Sequence, residues 1–244
     1  MRVGIIIQAR MTSTRLPGKV LMTVMGKPLL EYQIERLQRV RSADDIIIAT
    51  TTNDTDQPIV DLAERLGIKV FRGSEEDVLS RYFGAAQENG LDVVVRITSD
   101  CPLIDPVVVD DVIGTYLDNA ENCDYVSNCL TRTFPRGMDT EAFSFELLEK
   151  VHLEARQQHE REHVTPYIYQ SPQRFRLLNL AIILDESRHR WTVDTPEDFE
   201  LIRRILEMLY PKNQVFGLED VLAVMDAHPD WFELNAQIEQ KKLQ

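Results

Sequence analysis

Three apolar runs set most of what this chain can fold into. "VGIII" (3–7), "DIIIATT" (45–51) and "DVVVRIT" (92–98) are each nearly unbroken by polar residues. Such runs suit strands buried on both faces, the condition of a parallel sheet covered by helices on either side. The segments between them have helical period. "GKPLLEYQIERLQRV" (26–40) sets Leu30, Ile34 and Leu37 on one face with Pro28 in the first turn. "TDQPIVDLAERLG" (55–67) ends on Gly67 as a C-cap, and "EEDVLSRYFGAAQENG" (75–90) ends on Gly90. "IKVF" (68–71), "PVVVDDVIGTYLDN" (106–119) and "DYVSN" (124–128) extend the alternation as strand, helix and strand. With connections this short, the rhythm predicts a three-layer α/β/α sandwich on a mostly parallel sheet.

Past residue 130 the rhythm loosens. "LTRTFPRGMDTEAF" (130–143) reads as an irregular excursion plus a strand, and residues 144–170 as helix with a break near Pro166. "RFRLLNLAIIL" (174–184) reads as a strand in a subsidiary sheet. "WTVDTPEDFELIRRILEMLY" (191–210) reads as a strand end entering a helix whose core face is Phe199, Ile202, Leu206 and Leu209. The expected organisation is one domain over residues 1–212 and a helical tail over 213–244.

No apolar run approaches the ~20 residues needed to span a bilayer, and the start of the chain lacks the pattern of a signal peptide. Three cysteines without a C-x-x-C pair exclude a disulfide framework, so a reducing cytoplasm is the expected compartment. A net charge of −13 argues against a broad nucleic-acid-binding surface. The charge is uneven, however. Residues 1–41 hold eight Lys and Arg against two Glu, while the rest of the chain holds 19 basic against 38 acidic residues. A cationic patch on an anionic protein focuses a field on a small anion.

That patch centres on "QARMTSTRLPGKVL" (8–21), which follows the first strand and carries Arg10, Arg15 and Lys19 with no acid. In open α/β sheets ligands bind outside the carboxyl ends of the strands. Two other such ends bear carboxylates: Asp100 in "TSDCPLID" and Asp194 in "WTVDTPED". Cations for phosphate and hard oxygens for a metal together suit a nucleoside triphosphate with Mg²⁺. Each piece also has a purely structural reading. Asp194 precedes Thr195-Pro196-Glu197-Asp198, a capping box, and could serve only as a cap. Asp100 could be a turn residue before Pro102. Cys101 suits a buried spectator thiol, and Trp191 a packing residue beneath Asp194. Neither G-x-x-x-x-G-K-[ST] nor G-x-G-x-x-G occurs, which removes P-loop and dinucleotide-binding readings.

The combination "QARMTSTRLPGKVL…GKPLLEYQIERL" resembles the opening of the cytidylyltransferases that make CMP-activated sugars. "FRGSEEDVLSRY", "RITSDCPLIDP", "FPRGMDTE", "EREHVTPYIY" and "RWTVDTPEDFELI" resemble landmarks of its spore coat polysaccharide (SpsF-type) branch. The resemblance implies a Rossmann-like fold of the nucleotide-diphospho-sugar transferase type and transfer of CMP from CTP with release of pyrophosphate. It places Ala9, Arg10, Ser13, Arg15, Lys19, Arg72, Arg81 and Ser99 at the nucleotide, with Gly18 letting the backbone approach the phosphates. Asp100 and Asp194 take the Mg²⁺, and Arg15 and Lys19 join them as the catalytic set. Between the two Asp segments, Arg136 and Asp139 with Glu141 nearby are one candidate set for the acceptor, and Glu162 and His163 are another. "PRGMD" also suits a tight turn with Gly137 at positive φ. The implied partners are CTP and an anionic acceptor, a sugar acid or a phosphorylated metabolite. A homodimer is implied as well, built on a protruding segment within 128–182. Two competitors remain open at this level. One is an A-type glycosyltransferase, which usually carries D-x-D where this chain has S-D-C; the other is a non-catalytic nucleotide-binding scaffold.

Overall fold

A computed structural model describes residues 1–239. In chain order, β1 (Val3–Gln8) leads into a loop closed by a short hairpin of β2 (Thr23–Val24) and β3 (Lys27–Pro28). Then come α1 (Leu29–Leu37), β4 (Asp45–Thr51), α2 (Gln57–Leu66), β5 (Lys69–Gly73), α3 (Val78–Glu88), β6 (Val93–Thr98) and α4 (Pro106–Asn119). β7 (Tyr125–Ser127) and β8 (Glu141–Ser144) flank the irregular excursion. α5 (Phe145–Glu154), α6 (Gln158–His163), α7 (Pro166–Tyr169), β9 (Leu177–Asn179), α8 (Pro196–Leu209) and α9 (Leu218–Ala227) complete the order.

Seven strands form one sheet in the order β5-β4-β1-β6-β8-β7-β9. β1 pairs in parallel with β4 and β6, and β4 with β5. The apolar runs are continuous because both faces are covered. Ile5 and Ile7 pack in one core cluster with Val95 and Ile97, whereas Ile6 packs in a second with Ile47, Ala49 and Val94. β8 enters between β6 and β7, antiparallel to both.

One expectation changes here. Residues 174–184 do not build a subsidiary sheet: β9 pairs in parallel with β7 at the edge of the main one. Residues 128–182 supply β8 and β9 to that sheet. Residues 144–170 form three short helices, with breaks at 155–157 and 164–165. The core face of α8 is Leu201, Ile202, Ile205 and Leu206, with Phe199 and Leu209 at its margin. The tail buries Phe216, Val221 and Met225 in a third cluster around Trp191 and Leu206. The last residues of the expected tail, 240–244, lie outside the described residues. Among the described residues no helix is long and apolar enough to cross a membrane.

Candidate active site

Sheet register brings the site loops together. Gln8 and Thr98 are neighbours at the carboxyl ends of β1 and β6, and the Ser99 N–H donates to the Gln8 carbonyl at 3.2 Å. The opening loop and the Asp100 turn therefore emerge side by side. Residues 191–194 run along that turn: the Val193 N–H donates to the Asp100 carbonyl at 2.8 Å, and the Thr192 hydroxyl to the same oxygen at 3.2 Å. Three segments far apart in the chain thus converge on one spot.

The opening loop is folded back on itself. The Gly18 N–H donates to the Met11 carbonyl at 2.8 Å, and the Met11 N–H donates to Asp56 at 2.7 Å. Gly18 has φ +72°, a left-handed conformation that glycine adopts without the Cβ penalty, so its conformational role is evident in the protein alone. The turn after it starts at Lys19, and Val20 anchors it in the core. Lys19 Nζ lies 2.9 Å from Asp100 Oδ2 and 2.7 Å from Asp194 Oδ1. Arg15 reaches Asp194 Oδ2 at 2.8 Å. Burial acts to raise the Asp100 carboxyl, but Lys19 and the Thr98 hydroxyl, which donates to Oδ1 at 2.6 Å, outweigh it and hold the group down to about 2. Burial acts to lower Lys19; Asp100 and Asp194 outweigh it and raise that ammonium.

Asp194 is not the helix cap. Thr195 caps α8, its hydroxyl accepting from the Asp198 N–H, while the Asp198 carboxylate accepts from the Thr195 N–H. Asp194 stands one residue earlier, free to face the cleft. Behind it Arg190 Nη2 donates to Asp194 Oδ2 at 2.9 Å, and Arg190 Nε to Asp198 Oδ1 at 2.9 Å.

The cleft consists of adjoining chambers. The first is lined by Ala9, Arg10, Ser13, Arg15 and Lys19, together with Arg81, Ser99, Asp100, Glu162, His163 and Asp194. Arg10 faces Glu75 at 3.4 Å, and Glu75 also accepts from the Thr12 hydroxyl and, at 2.6 Å, from Asn53. Arg81 is buried beneath this chamber and donates to the Ala49 carbonyl at 3.3 Å; its burial lowers the guanidinium's proton affinity. Arg72 is elsewhere. Its guanidinium donates to the carbonyls of Thr51 and Asn53 and to Gln57, each at 2.9 Å, and its side chain braces the edge of the sheet rather than lining the cleft.

The second chamber shares Asp100, Asp194 and Arg15 with the first and adds Arg96, Arg136, Asp139 and His163. A third, lined by Arg96, Tyr125, Cys129, Asp139, Glu141 and Tyr169, continues from it. Arg96 pairs with Glu141 at 2.5 Å, and Arg132 grips Asp139 through two bonds of 2.5 and 2.7 Å. "PRGMD" is both a turn and a wall of the cleft. The Met138 N–H donates to the Pro135 carbonyl at 3.2 Å, and Gly137 has φ +104°. A Cβ on Gly137 would lie 2.6 Å from the Trp191 carbonyl oxygen, so only glycine fits. Trp191 itself is buried in the third core cluster, as a packing residue should be. His163 ends α6, and Val164 after it has φ +73° and ψ −55°. The Thr165 N–H donates to the His163 carbonyl at 2.9 Å, a γ-turn of the rarer, strained hand that fixes where His163 enters the cleft. Burial and the Asp100 charge push the Cys101 thiol well up, against any role as a thiolate.

A family model for cytidylyltransferases matches residues 4–221. The chain belongs to the cytidylyltransferase family. It is 39% identical over 238 residues to an uncharacterized protein of Methanocaldococcus jannaschii, covering 97% of this chain and 95% of that one. It is 32% identical to the spore coat polysaccharide biosynthesis protein SpsF of Bacillus subtilis, over 92% of this chain and 94% of the relative. The solved structure of a cytidylyltransferase from Leptospira borgpetersenii, 35% identical, superposes with a TM-score of 0.92 over 99% of each chain. The motif resemblance is borne out, and the enzyme is a nucleotidyltransferase.

Sequence reasoning missed several residues of the candidate site in this cytidylyltransferase. Thr98 adjoins the S-D motif and orients Asp100. Arg96 lies inside a strand whose apolar run hid it. Arg190 stands four residues before Asp194, a spacing that would have suggested a pair only if Asp194 were already placed.

Proposed function

We propose that the enzyme transfers the CMP of CTP to an anionic acceptor, a sugar acid or a phosphorylated metabolite, releasing pyrophosphate, in the building of a surface polysaccharide. The observation that carries this reading is the convergence of Arg15 and Lys19 on Asp100 and Asp194 at the carboxyl edge of the sheet.

In this reading an acceptor oxygen bonds to the α-phosphorus while the bond to the bridging oxygen breaks. Arg10, Arg15 and Lys19 neutralise the phosphate oxygens and the charge that grows on pyrophosphate. Ala9, Ser13, Arg81 and Ser99 line the nucleotide chamber. The two carboxylates suit a divalent ion, because an oxygen of each points at one atom, Lys19 Nζ, 2.9 and 2.7 Å away. An ion such as Mg²⁺ bound by Asp100 and Asp194 would supply polarisation of the α-phosphate. The acceptor occupies the chambers beyond, beside Arg136, Asp139, Glu141 and His163, while Glu162, expected on the acceptor side, lines the first chamber instead. Among the described residues Glu141 offsets Arg96 and Asp139 offsets Arg132, while no carboxylate forms an ion pair with Arg136. A guanidinium whose neighbouring acid, Asp139, is already gripped by Arg132 suits one anionic group on the acceptor. The name of the Bacillus subtilis relative supports the polysaccharide role. A cytoplasmic enzyme fits its three free thiols, and the homodimer implied by the motif resemblance is tested by sedimentation equilibrium.

The test is pyrophosphate release from CTP with Mg²⁺ across a panel of acidic sugars and phosphorylated small metabolites. Acceptor-dependent release that disappears in Asp100→Ala is expected. Sugar transfer from a nucleotide-sugar without pyrophosphate release would overturn the reading.

A further inference from the structure

The tail beyond residue 221 lies outside the family match, yet it reaches the back of the candidate metal site. After α9 a short 3-10 turn (Pro229–Leu234) ends at Asn235, which is 3% exposed. Two contacts seat this turn. The Phe232 ring meets His189 edge-on at 5.7 Å, and the Arg204 guanidinium lies over the Trp231 ring at 5.7 Å. The Asn235 amide then spends both of its hydrogens. One goes to the Arg190 carbonyl and one to Asp198 Oδ1, each at 2.8 Å.

Asp198 passes the constraint on. Its Oδ1 takes Asn235 and Arg190 Nε, and its Oδ2 takes the Asp194 N–H at 3.0 Å, the Thr195 N–H at 3.1 Å and Arg190 Nη2 at 3.1 Å. The Asp198 side chain is fully buried, so every one of these bonds is made without competition from water. Arg190 Nη2 reaches on to Asp194 Oδ2 and thereby leaves Oδ1 turned toward Lys19. One carboxylate in the cleft is therefore connected, through two intermediaries, to a side chain 41 residues further along the chain.

We infer that Asn235 is a positioning residue for the divalent-metal site, acting through Asp198 and Arg190 to hold Asp194. This rests on the reading of Asp100 and Asp194 as metal ligands. Partners that orient ligands from behind typically govern metal affinity by 10- to 100-fold.

The test uses Mn²⁺ as the probe, with binding to the full chain followed by electron paramagnetic resonance in the presence of CTP. Asn235→Ala is expected to weaken Mn²⁺ by about 10-fold. Asn235→Ser, which keeps one donor, is expected to fall between the variant and the wild type, and it gives the reading should the alanine variant fold poorly. Thermal unfolding without metal is recorded in parallel. Unchanged Mn²⁺ affinity in both variants, with or without a drop in unfolding temperature, would overturn the inference and leave the metal site standing. Wild-type protein that binds no Mn²⁺ while still binding CTP would overturn the metal reading itself, and the inference with it.

Discussion

On one side of Asp194 stands Arg15 of the opening loop, and on the other stands Arg190. Arg15 meets Asp194 at 2.8 Å and Arg190 meets it at 2.9 Å. Distance does not separate them; burial does. The Arg15 side chain is 35% exposed, whereas Arg190 is 7% exposed and its second partner Asp198 is not exposed at all. An exposed pair contributes little to stability and is readily exchanged for another anion. A buried pair with every hydrogen bond made is costly to break, because removing one partner strands the other charge away from water. The same carboxylate is thus gripped by a buried wall, Arg190, by the buried Lys19 and by the exposed Arg15, the one of the three that is readily exchanged for another anion.

The largest effect should come from breaking the wall. Asp198→Ala removes both bonds to Arg190 Nε and Nη2, the bonds its carboxylate accepts from the Asp194 and Thr195 N–H groups, and one of the two anchors of Asn235, while the cap bond from the residue 198 N–H to the Thr195 hydroxyl stays. A loss of about 3–5 kcal/mol in urea unfolding is expected, the usual result of leaving a buried charge without its partner. A loss below about 1 kcal/mol would mean that the wall behaves like a surface pair, and the contrast would fail.

Arg15→Ala sharpens the contrast from the other side. Its stability should stay within about 1 kcal/mol of the wild type. Its CTP-dependent pyrophosphate release should fall by about 10²–10³, the usual result of removing one donor that stabilises developing charge. A large stability loss with little change in turnover would assign Arg15 to the scaffold instead.

The same division decides what could be read from the sequence. The parallel half is written in local patterns: β4 and α4 fall on Asp45–Thr51 and Pro106–Asn119, the bounds that apolar runs and caps announce. The opening loop was legible because its cations are close together in an acidic chain. β8 was not placed by its sequence, since nothing in "EAFS" says that it will enter the sheet centre antiparallel to β6. β9 was assigned to the wrong sheet for the same reason. Asp194 left two readings open until the structure showed Thr195 holding the cap. Arg72 looked equivalent to Arg81, but pairing across β4–β5 turns it to the sheet edge. Asn235 and Asp198 are 37 residues apart, and no periodicity or spacing rule joins residues at that distance.

The smallest effect is a pH dependence, and it belongs to the loop side. Asp100 is held down to about 2, against an ordinary value of 3.8, with burial opposing and Lys19 prevailing. A carboxyl lowered by folding stabilises the fold above its ordinary value, and that contribution disappears as pH falls through the folded value. Lys19 has the opposite sign: its raised value means that its contribution is complete below 10.5 and is lost as pH climbs through the raised value. The pair should therefore give a plateau across neutral pH. In chelator-treated protein, the difference in unfolding free energy between wild type and Asp100→Asn should stay flat down to the ordinary carboxylate range. Below it the difference should shrink with a slope of at most one proton, about 1.4 kcal/mol per pH unit. A difference that already shrinks above pH 6 would show that Lys19 does not hold Asp100. Saturating CTP offers the sharper version. If the phosphates draw Lys19 away, the same titration should lose part of its plateau height, whereas the loss in Asp198→Ala should be unaffected by the nucleotide.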